Sequence, residues 1–302
     1  MTNFGVQQIV SATTPRQGYR RVRWRQGLIS SLLSILTTLL ALMFMFPFAW
    51  SVSSALKKGI EVTAYPPRLL PAVPQWGNFA TAWSSIQFDV FFRNSTIVTV
   101  LCLVGTITSS LLVAYGFARF RFPGREALFL VCLSGMMMPV YVTIIPLFEL
   151  FRSIHWTNTL KPLIVPSYFG SAFTIFLLRQ FLMGIPFDLD ESALIDGASR
   201  VTILLRILLP NCKPALATVA IFSFMTHWNE FLGPLIFIDS VDKYTLPMGL
   251  WFLRAYAFDQ PGEPRDHLLM AGSIITTVPV LLVFASAQQY FVQGIVMSGI
   301  KG

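Results

Sequence analysis

The chain has 302 residues, of which 54% are hydrophobic and only 12% are charged, and its mean hydropathy is +0.64. A soluble protein of this length needs more charge to cover its surface, so the composition excludes an ordinary soluble fold and indicates a polytopic α-helical membrane protein. The net charge of +8 does not point to nucleic acid, because the arginines cluster at the ends of apolar runs and the chain has no motif that reads DNA or RNA.

The N-terminal part of the chain combines a basic tail with a long apolar run. Residues 1–27 are polar and include Arg16, Arg20, Arg21, Arg23 and Arg25. The apolar run at 28–50 exceeds the roughly 7–15 residues of a cleavable signal peptide. The sequence therefore predicts a retained first span, with a tail over 1–27 and a transmembrane domain over 28–302.

Further apolar runs are long enough to cross about 30 Å of hydrocarbon. They cover 90–118, 127–151, 162–183, 214–238 and 267–291. A stretch rich in proline and tryptophan at 51–89 and a polar stretch at 239–266 are predicted to be extramembrane loops. The prediction is an all-α integral membrane fold with six transmembrane helices and both termini on one side.

Lys and Arg residues are distributed unequally across this predicted topology. Thirteen fall on the side of the termini and nine on the other side, and the densest short clusters are the tail and 119–125. Short loops rich in Lys and Arg stay in the cytoplasm, so both termini are predicted to be cytoplasmic.

The stretch FDLDESALIDGASRVTILLRILLPNCKP, at 187–214, interrupts the apolar runs with four acidic residues within nine positions. Carboxylates are costly in hydrocarbon, so this stretch is predicted to lie outside the bilayer, on the side of the termini. Asp188 is predicted to cap a helix that has Glu191 in its first turn, and Gly197 to end that helix in a left-handed turn.

A second helix is predicted to follow directly. Ser199 is predicted to cap it, and Pro210 to end it. Its apolar face is predicted to comprise Val201, Leu204, Leu205 and Leu208. A membrane protein that exposes a compact helix–glycine–helix unit between two spans is expected to offer it to a partner.

Motifs for catalysis and metal binding are absent from the sequence. It has no GxxxxGK[ST] loop, no nucleophile elbow and no zinc-protease helix. The three cysteines and three histidines are scattered without a metal-ligand spacing. The chain is therefore predicted to be no enzyme, with no catalytic residue, no metal and no cofactor of its own.

The 187–214 stretch resembles the cytoplasmic EAA loop of bacterial ATP-binding-cassette (ABC) importer permeases, which reads E-A-A-x-x-D-G-A and then I-x-L-P. The match lies in ESALIDGAS (191–199) and ILLPNCKP (207–214), with Ser192 in place of the usual alanine at the second position of E-A-A. The chain from about residue 28 onward resembles carbohydrate-importer permeases related to the smaller membrane subunit of the maltose system. The matching segments are NSTIVTV, AYGFARFRFPGRE, MMPVYVTIIPLF, FLLRQFLMGIPFDLDESALIDGAS, WNEFLGPLIF, KYTLPMGL and QQYFVQGIVMSGIKG.

The resemblance implies a set of partners and a coupling role. The fold would be that of a type I importer permease in a bacterial inner membrane, with the EAA coupling helix between spans four and five. The partners would be a second homologous permease, two ATPase subunits that bind ATP and Mg, an extracytoplasmic solute-binding protein and the lipid bilayer. The residues expected to contact the ATPase are Glu191, Ser192, Ala193, Asp196, Gly197 and Ala198.

Two further groups are candidates for contacts with solute or binding protein. Trp228, Asn229 and Glu230 have side chains suited to a sugar, although interhelical hydrogen bonding or contact with the second permease is the favoured alternative. The loop residues Tyr244, Trp251, Arg254 and Tyr256 are candidates for contact with the solute-binding protein, as the resemblance implies. The alternative is that this loop packs against the outer opening of the permease itself.

Rival interpretations come from other classes of membrane protein. An ion-driven secondary transporter is the alternative function, and it predicts internal repeats and buried ion-binding carboxylates. A membrane enzyme predicts paired catalytic groups near one interface. The sequence shows neither pattern, and it leaves the solute open among oligosaccharides, monosaccharides, polyols and glycerol phosphates.

Overall fold

A computed structural model describes residues 16–85, 87–259 and 265–299, and within them the chain forms helices and turns without a strand. The first 15 residues of the predicted tail lie outside this described part. The α-helices are α1 Arg16–Ala55, α2 Gly59–Thr63, α3 Gly77–Ser85, α4 Phe88–Arg119, α5 Arg125–Ser134, α6 Val140–Ser153, α7 Lys161–Ile164, α8 Ala172–Met183, α9 Asp188–Ile195, α10 Arg200–Thr202, α11 Leu209–Asn211, α12 Lys213–Trp228, α13 Leu232–Phe237, α14 Leu246–Asp259 and α15 Asp266–Gly299.

The chain divides into two compact units, 1–51 and 52–302. In the first unit, the apolar side chains of α1 are exposed from Ile29 to Phe48. Such a helix is apolar around its whole circumference, which suits contact with lipid rather than with water.

Membrane-spanning candidates among the described residues number between four and six. The four that qualify as single helical stretches are Ile29–Ala55, Phe88–Arg119, Lys161–Met183 and Asp266–Ser286. Two bent pairs raise the number to six if each is one span. These pairs are Arg125–Met137 with Tyr141–Ser153, bent by 97°, and Arg200–Asn211 with Lys213–Trp228, bent by 81°.

The structure corrects three of the predicted boundaries. The run at 127–151 is not one straight span, because the helix breaks between Met137 and Tyr141, next to Pro139. The run at 214–238 is split at 229–231 into α12 and α13, and α12 follows a helix that begins at Arg200. The stretch at 239–266, predicted to be a loop, contains a 14-residue helix, α14. Its apolar residues pack against the start of α4, and the polar residues at both ends of the stretch concealed this apolar middle in the sequence.

Two of the apolar clusters described in the second unit lie at opposite parts of α4. One joins the C-terminal half of α4 to α8, α9 and α12 and includes the fully buried Leu178, Ile203 and Leu208. The other surrounds the start of α4 and includes Phe88, Phe91, Trp228 and Leu246. Because α4 contributes to both clusters, it connects the 187–214 stretch with the end of α12 and the start of α14.

Candidate functional site

The polar stretch begins with α9, whose first residue is Asp188. The prediction that Asp188 caps this helix is wrong, because Phe187 before it already has helical backbone angles of φ −67° and ψ −24°. Asp188 therefore lies inside the helix, where its carbonyl accepts the Ser192 hydroxyl at 2.6 Å. The acidic side chains still occupy the first turn, where the helix N-terminus stabilises negative charge.

The turn after α9 has the predicted left-handed glycine. Gly197 has φ +81°, and its N–H donates to Leu194 O at 3.0 Å while Ala198 N–H donates to Ala193 O at 2.9 Å. These two bonds form the pattern that ends many helices at a glycine. The Ser199 hydroxyl then accepts the Thr202 N–H at 3.2 Å, which confirms Ser199 as the cap of the second helix.

The second helix differs from its prediction in the face that is buried. It contains a π-helical turn, Ile203–Leu208, whose wider winding shifts the face that packs inward. The buried residues are Ile203, Leu204 and Leu208, while Val201 and Leu205 are exposed, so the predicted apolar face is partly wrong. The helix ends at Asn211, one residue after Pro210, and the chain bends by 81° before α12, so the predicted end is confirmed to within one residue.

The outward surface of α9 and its turn carries most of the predicted coupling residues. Glu191, Ser192, Asp196 and Gly197 are exposed, Ala198 is half-buried, and Ala193 is buried against the core. The structure also presents an apolar residue that the sequence pattern did not single out. Ile195 has 86% of its surface exposed at the end of α9, between the acids and the glycine turn.

A buried ion pair attaches α9 to the end of α4. Arg119 Nη2 lies 3.2 Å from Asp190 Oδ2, and the two side chains are 0% and 2% exposed. The same Nη2 donates to Ile185 O at 3.1 Å, and the guanidinium carbon lies 4.5 Å from the centroid of the Phe187 ring. This pair was not predicted, because Arg119 and Asp190 are far apart in the chain and no local pattern relates them.

A second arginine lies nearby on α8. Arg179 Nη2 lies 3.1 Å from Glu126 Oε1, and its guanidinium carbon is 4.0 Å from the centroid of the Phe129 ring. The Glu126 side chain is 61% exposed, so water screens this pair. Both are pairs of an arginine with a carboxylate, but of the two only Arg119–Asp190 has both side chains buried.

The candidate solute residues Trp228, Asn229 and Glu230 do not form one site. Trp228 is 4% exposed, and its Nε1–H donates to Thr276 O at 3.1 Å. Asn229 is exposed and donates to Met225 O at 2.8 Å. Glu230 Oε1 accepts the Gly233 N–H at 2.9 Å and so caps the start of α13. Trp228 thus belongs to the core and makes an interhelical hydrogen bond, in agreement with the favoured alternative. Of the three residues, only Glu230 lines a cavity.

That cavity has a volume of about 400 Å³, which lies within the range of small-molecule sites. Its polar lining includes Glu230, His227 and Thr245, and its aromatic lining includes Phe151 and Phe237. Thr245 is 4% exposed, and within the described residues its hydroxyl has no hydrogen-bond partner. Neither His227 nor Thr245 was a candidate from the sequence, because neither falls in a recognisable spacing.

The four candidate contacts for a solute-binding protein are also divided by the structure. Tyr244 is 8% exposed, with its ring 6.1 Å from Phe91, so its surface does not face a partner. Trp251 and Arg254, on α14, are exposed. The Tyr256 side chain lies outside the described part of the chain. Among the side chains that the structure describes, no three His, Cys, Asp or Glu residues form a group that could hold a metal ion.

Comparisons with known proteins give a consistent result. Residues 106–297 match the family described as binding-protein-dependent transport system inner membrane component. The chain is 35% identical over 267 residues to the diacetylchitobiose uptake system permease NgcG of Streptomyces coelicolor, covering 88% of this chain and 86% of that protein. It is 32% identical over 274 residues to the arabinooligosaccharides transport system permease AraQ of Bacillus subtilis, covering 89% and 95%.

The same fold occurs in a solved structure. A bacterial ABC transporter involved in the import of the acidic polysaccharide alginate contains a chain that superimposes with a TM-score of 0.78 at 21% identity. The superposition covers 88% of this chain and 98% of that chain. At this identity the likeness concerns the fold alone.

Proposed function

The chain belongs to the family of binding-protein-dependent transport system inner membrane components, and we propose that it is the permease subunit of an ATP-driven importer for a carbohydrate or a related solute. It is a multi-pass protein of the inner membrane. In this proposal it pairs with a second, homologous permease, and a solute-binding protein delivers the solute at the outer face. Two separate ATPase subunits bind ATP and Mg at the cytoplasmic face, since the sequence has no phosphate-binding loop of its own.

The observation that carries this proposal is the shape of α9 and its turn. The unit exposes Glu191, Asp196 and the apolar Ile195 on one outward surface, while Ala193 and Ile203 hold its inner surface against the core. An exposed apolar residue with polar neighbours has the arrangement of a protein interface, in which an apolar centre is surrounded by a polar rim. We therefore assign this surface, including Ser192, Gly197 and Ala198, to the ATPase contact, with both termini in the cytoplasm. ATP-driven movement of the docked helix would switch the permease pair between inward-open and outward-open states.

The solute is proposed to pass the cavity beside Glu230. Its carboxylate, together with His227 and the buried Thr245 hydroxyl, offers hydrogen bonds to sugar hydroxyls, and Phe151 and Phe237 offer apolar faces to the C–H surfaces of a sugar ring. Asn229 is exposed outside the cavity lining and Trp228 is buried, so neither is assigned to solute contact.

The exposed residues Trp251 and Arg254 of α14 are proposed to contact the solute-binding protein. An exposed tryptophan and an exposed arginine are among the side chains that contribute most to protein interfaces. Tyr244 is left out of this surface because its ring is buried.

Purification of the tagged chain from its native membrane tests the proposal. We expect the preparation to contain an ATPase and a second permease, and vesicles that contain this complex to accumulate solute only when the binding protein and ATP are present. Diacetylchitobiose and arabinooligosaccharides, the solutes named for the two relatives above, are the first probes. A chain that transports these probes alone, without nucleotide, would support the ion-driven secondary transporter instead.

A substitution within the proposed contact refines this experiment. Glu191→Arg reverses an exposed charge without disturbing the helix core, so we expect normal insertion but loss of ATP-driven uptake. Arg121→Glu, which also reverses an exposed charge, is the matched control outside α9. Normal uptake by Glu191→Arg would argue strongly against the coupling role.

A further inference from the structure

The Arg119 side chain of α4 makes three contacts, two with the segment that leads into α9 and one with Asp190 in α9 itself. Arg119 Nη2 approaches Asp190 Oδ2 at 3.2 Å and donates to Ile185 O at 3.1 Å, and the guanidinium carbon lies 4.5 Å from the centroid of the Phe187 ring. The Tyr115 hydroxyl, one turn earlier on α4, donates to Arg200 O at 3.1 Å. The end of α4 therefore holds both helices of the 187–214 stretch.

Stability alone does not explain this pair. Both side chains are removed from water, and removing two charges from water costs as much as their attraction returns unless hydrogen bonds satisfy the remaining polar atoms. Within the described residues, Arg119 Nε and Nη1 and Asp190 Oδ1 have no hydrogen-bond partner. An apolar pair would fill this space without such unsatisfied groups, so the geometry indicates a role in positioning.

The other end of α4 is also held by directed contacts. Asn94 Nδ2 donates to Asp242 O and to Tyr244 O, each at 3.0 Å, and the Leu246 N–H donates to Ser95 Oγ at 2.7 Å. These bonds attach the start of α4 to the segment that leads into α14. Val98, one turn further along α4, lines the cavity beside Glu230.

We propose that Arg119 and Asp190 are positioning residues that make α9 and α4 move as one body, so that displacement of α9 reaches the cavity and the start of α14 through α4. This inference rests on the proposed function, because it assumes that an ATPase displaces α9. The pair stays closed during the cycle, since its opening would leave two uncompensated charges away from water. Asn94 and Ser95 transmit the movement at the far end.

The test measures whether a signal from bound nucleotide reaches residue 242. Cys102, Cys132 and Cys212 are replaced by alanine in the complex, and the exposed Asp242 is replaced by cysteine as a site for maleimide labelling. The labelling rate is compared without nucleotide and with ATP plus vanadate. With Arg119 and Asp190 intact we expect the rate to change about tenfold, within the range typical of coupling between distant sites.

Asp190→Asn removes one charge while it keeps the volume of the side chain. We expect this variant to retain the ATPase subunits and their hydrolysis rate but to lose the labelling response, leaving less than about a twofold change. The double variant Arg119→Leu with Asp190→Leu leaves no buried charge, so it assembles even if Asp190→Asn folds poorly, and we expect it to lack the response as well. Glu126→Gln, which breaks the exposed pair with Arg179, is the control and keeps the response.

The outcomes separate this inference from the proposed function. A full labelling response in Asp190→Asn or in the double variant would overturn the positioning role, as would an equal loss in Glu126→Gln. If the parent complex hydrolyses ATP and transports but residue 242 does not respond to nucleotide, the inference fails and the proposed function stands. A parent chain that purifies without any ATPase would remove both.

Discussion

Two helix breaks in this chain have different surroundings, although both lie beside α4. The first separates α9 from α10 at Gly197, where the backbone turns in the left-handed region and Ile195 is exposed. The second separates α12 from α13 at 229–231, where Glu230 caps the new helix and Trp228 is buried. The first break presents a surface and the second encloses a cavity. A few adjacent residues are enough to break a helix, whereas the helices packed around the break decide whether it forms an exposed surface or encloses a cavity.

The largest effect is expected at the second break, on the stability of the fold. Trp228→Ala removes a side chain that packs against Phe92 and Phe224 and donates to Thr276 O. Deletion of a buried tryptophan costs about 3–5 kcal/mol, so we expect a clear fall in the thermal unfolding midpoint in detergent. The neighbouring Asn229→Ala is the matched control and should change stability by less than about 0.5 kcal/mol. Similar midpoints for both variants would contradict the division of this motif into a core residue and an exposed residue.

The next effect is expected at the first break, on assembly. Ile195→Asp puts a charge on the exposed apolar residue of the proposed ATPase contact, and we expect at least about a 30-fold loss in affinity for the ATPase, equivalent to about 2 kcal/mol. Affinity is measured by capture of purified ATPase on the immobilised complex. Ile60→Asp, at an isoleucine that is 59% exposed outside α9, is the control and should bind normally. Equal binding by both variants would contradict an anchor at Ile195.

Substitution of Gly197 tests how firmly the backbone sets the first break. An added Cβ meets no atom within 4 Å there, so the cost comes from the left-handed backbone alone, at φ +81°. We expect Gly197→Ala to lose about 1–2 kcal/mol, Gly197→Asn to lose less and Gly197→Val to lose more, because asparagine enters this region most easily and β-branched residues least. Unfolding midpoints of the three variants in detergent measure this order. Equal midpoints would mean that the turn relaxes to another conformation.

The smallest effect is expected at Ser199, which caps the helix after the turn. Ser199→Ala removes the acceptor of the Thr202 N–H, and we expect a loss of about 1 kcal/mol. Ser192→Ala is the control, because the Ser192 hydroxyl bonds only the carbonyl of Asp188 within its own helix. We expect the control to be neutral or slightly stabilising, as measured by the same midpoints. A loss of similar size in both variants would show that removal of any serine hydroxyl here lowers the stability, and that the cap makes no specific contribution.

Features of the 187–214 stretch that depend on neighbours in the sequence were predicted well. The left-handed turn at Gly197 and the cap at Ser199 are confirmed, since both follow from the chemistry of a few adjacent residues. The cap at Asp188 was wrong by one position, because the chain enters α9 through a residue that already has helical angles. The apolar face of the next helix was partly wrong because a π-helical turn changes the winding that the pattern assumed.

Features that depend on residues far apart in the chain were not predicted. The burial of Asp190 against Arg119, the cavity that joins Glu230 to His227 and Thr245, and the burial of Tyr244 all involve contacts between separate helices. A charge pattern cannot show which acid is withdrawn from water, and so Asp190 resembled its exposed neighbours. The breaks of the apolar runs at 138–139 and 229–231 were also missed, since hydropathy does not distinguish a continuous span from two shorter helices.

The sequence by itself determined the class of protein, the long apolar helices and the glycine turn, because hydropathy, charge and local backbone preference act over a few residues. Only the tertiary structure decided which acid pairs with Arg119, which member of the Trp228–Glu230 motif faces the cavity, and which residue of α9 is left outermost. Those outcomes depend on how helices pack against α4, and packing joins residues whose separation in the sequence carries no signal.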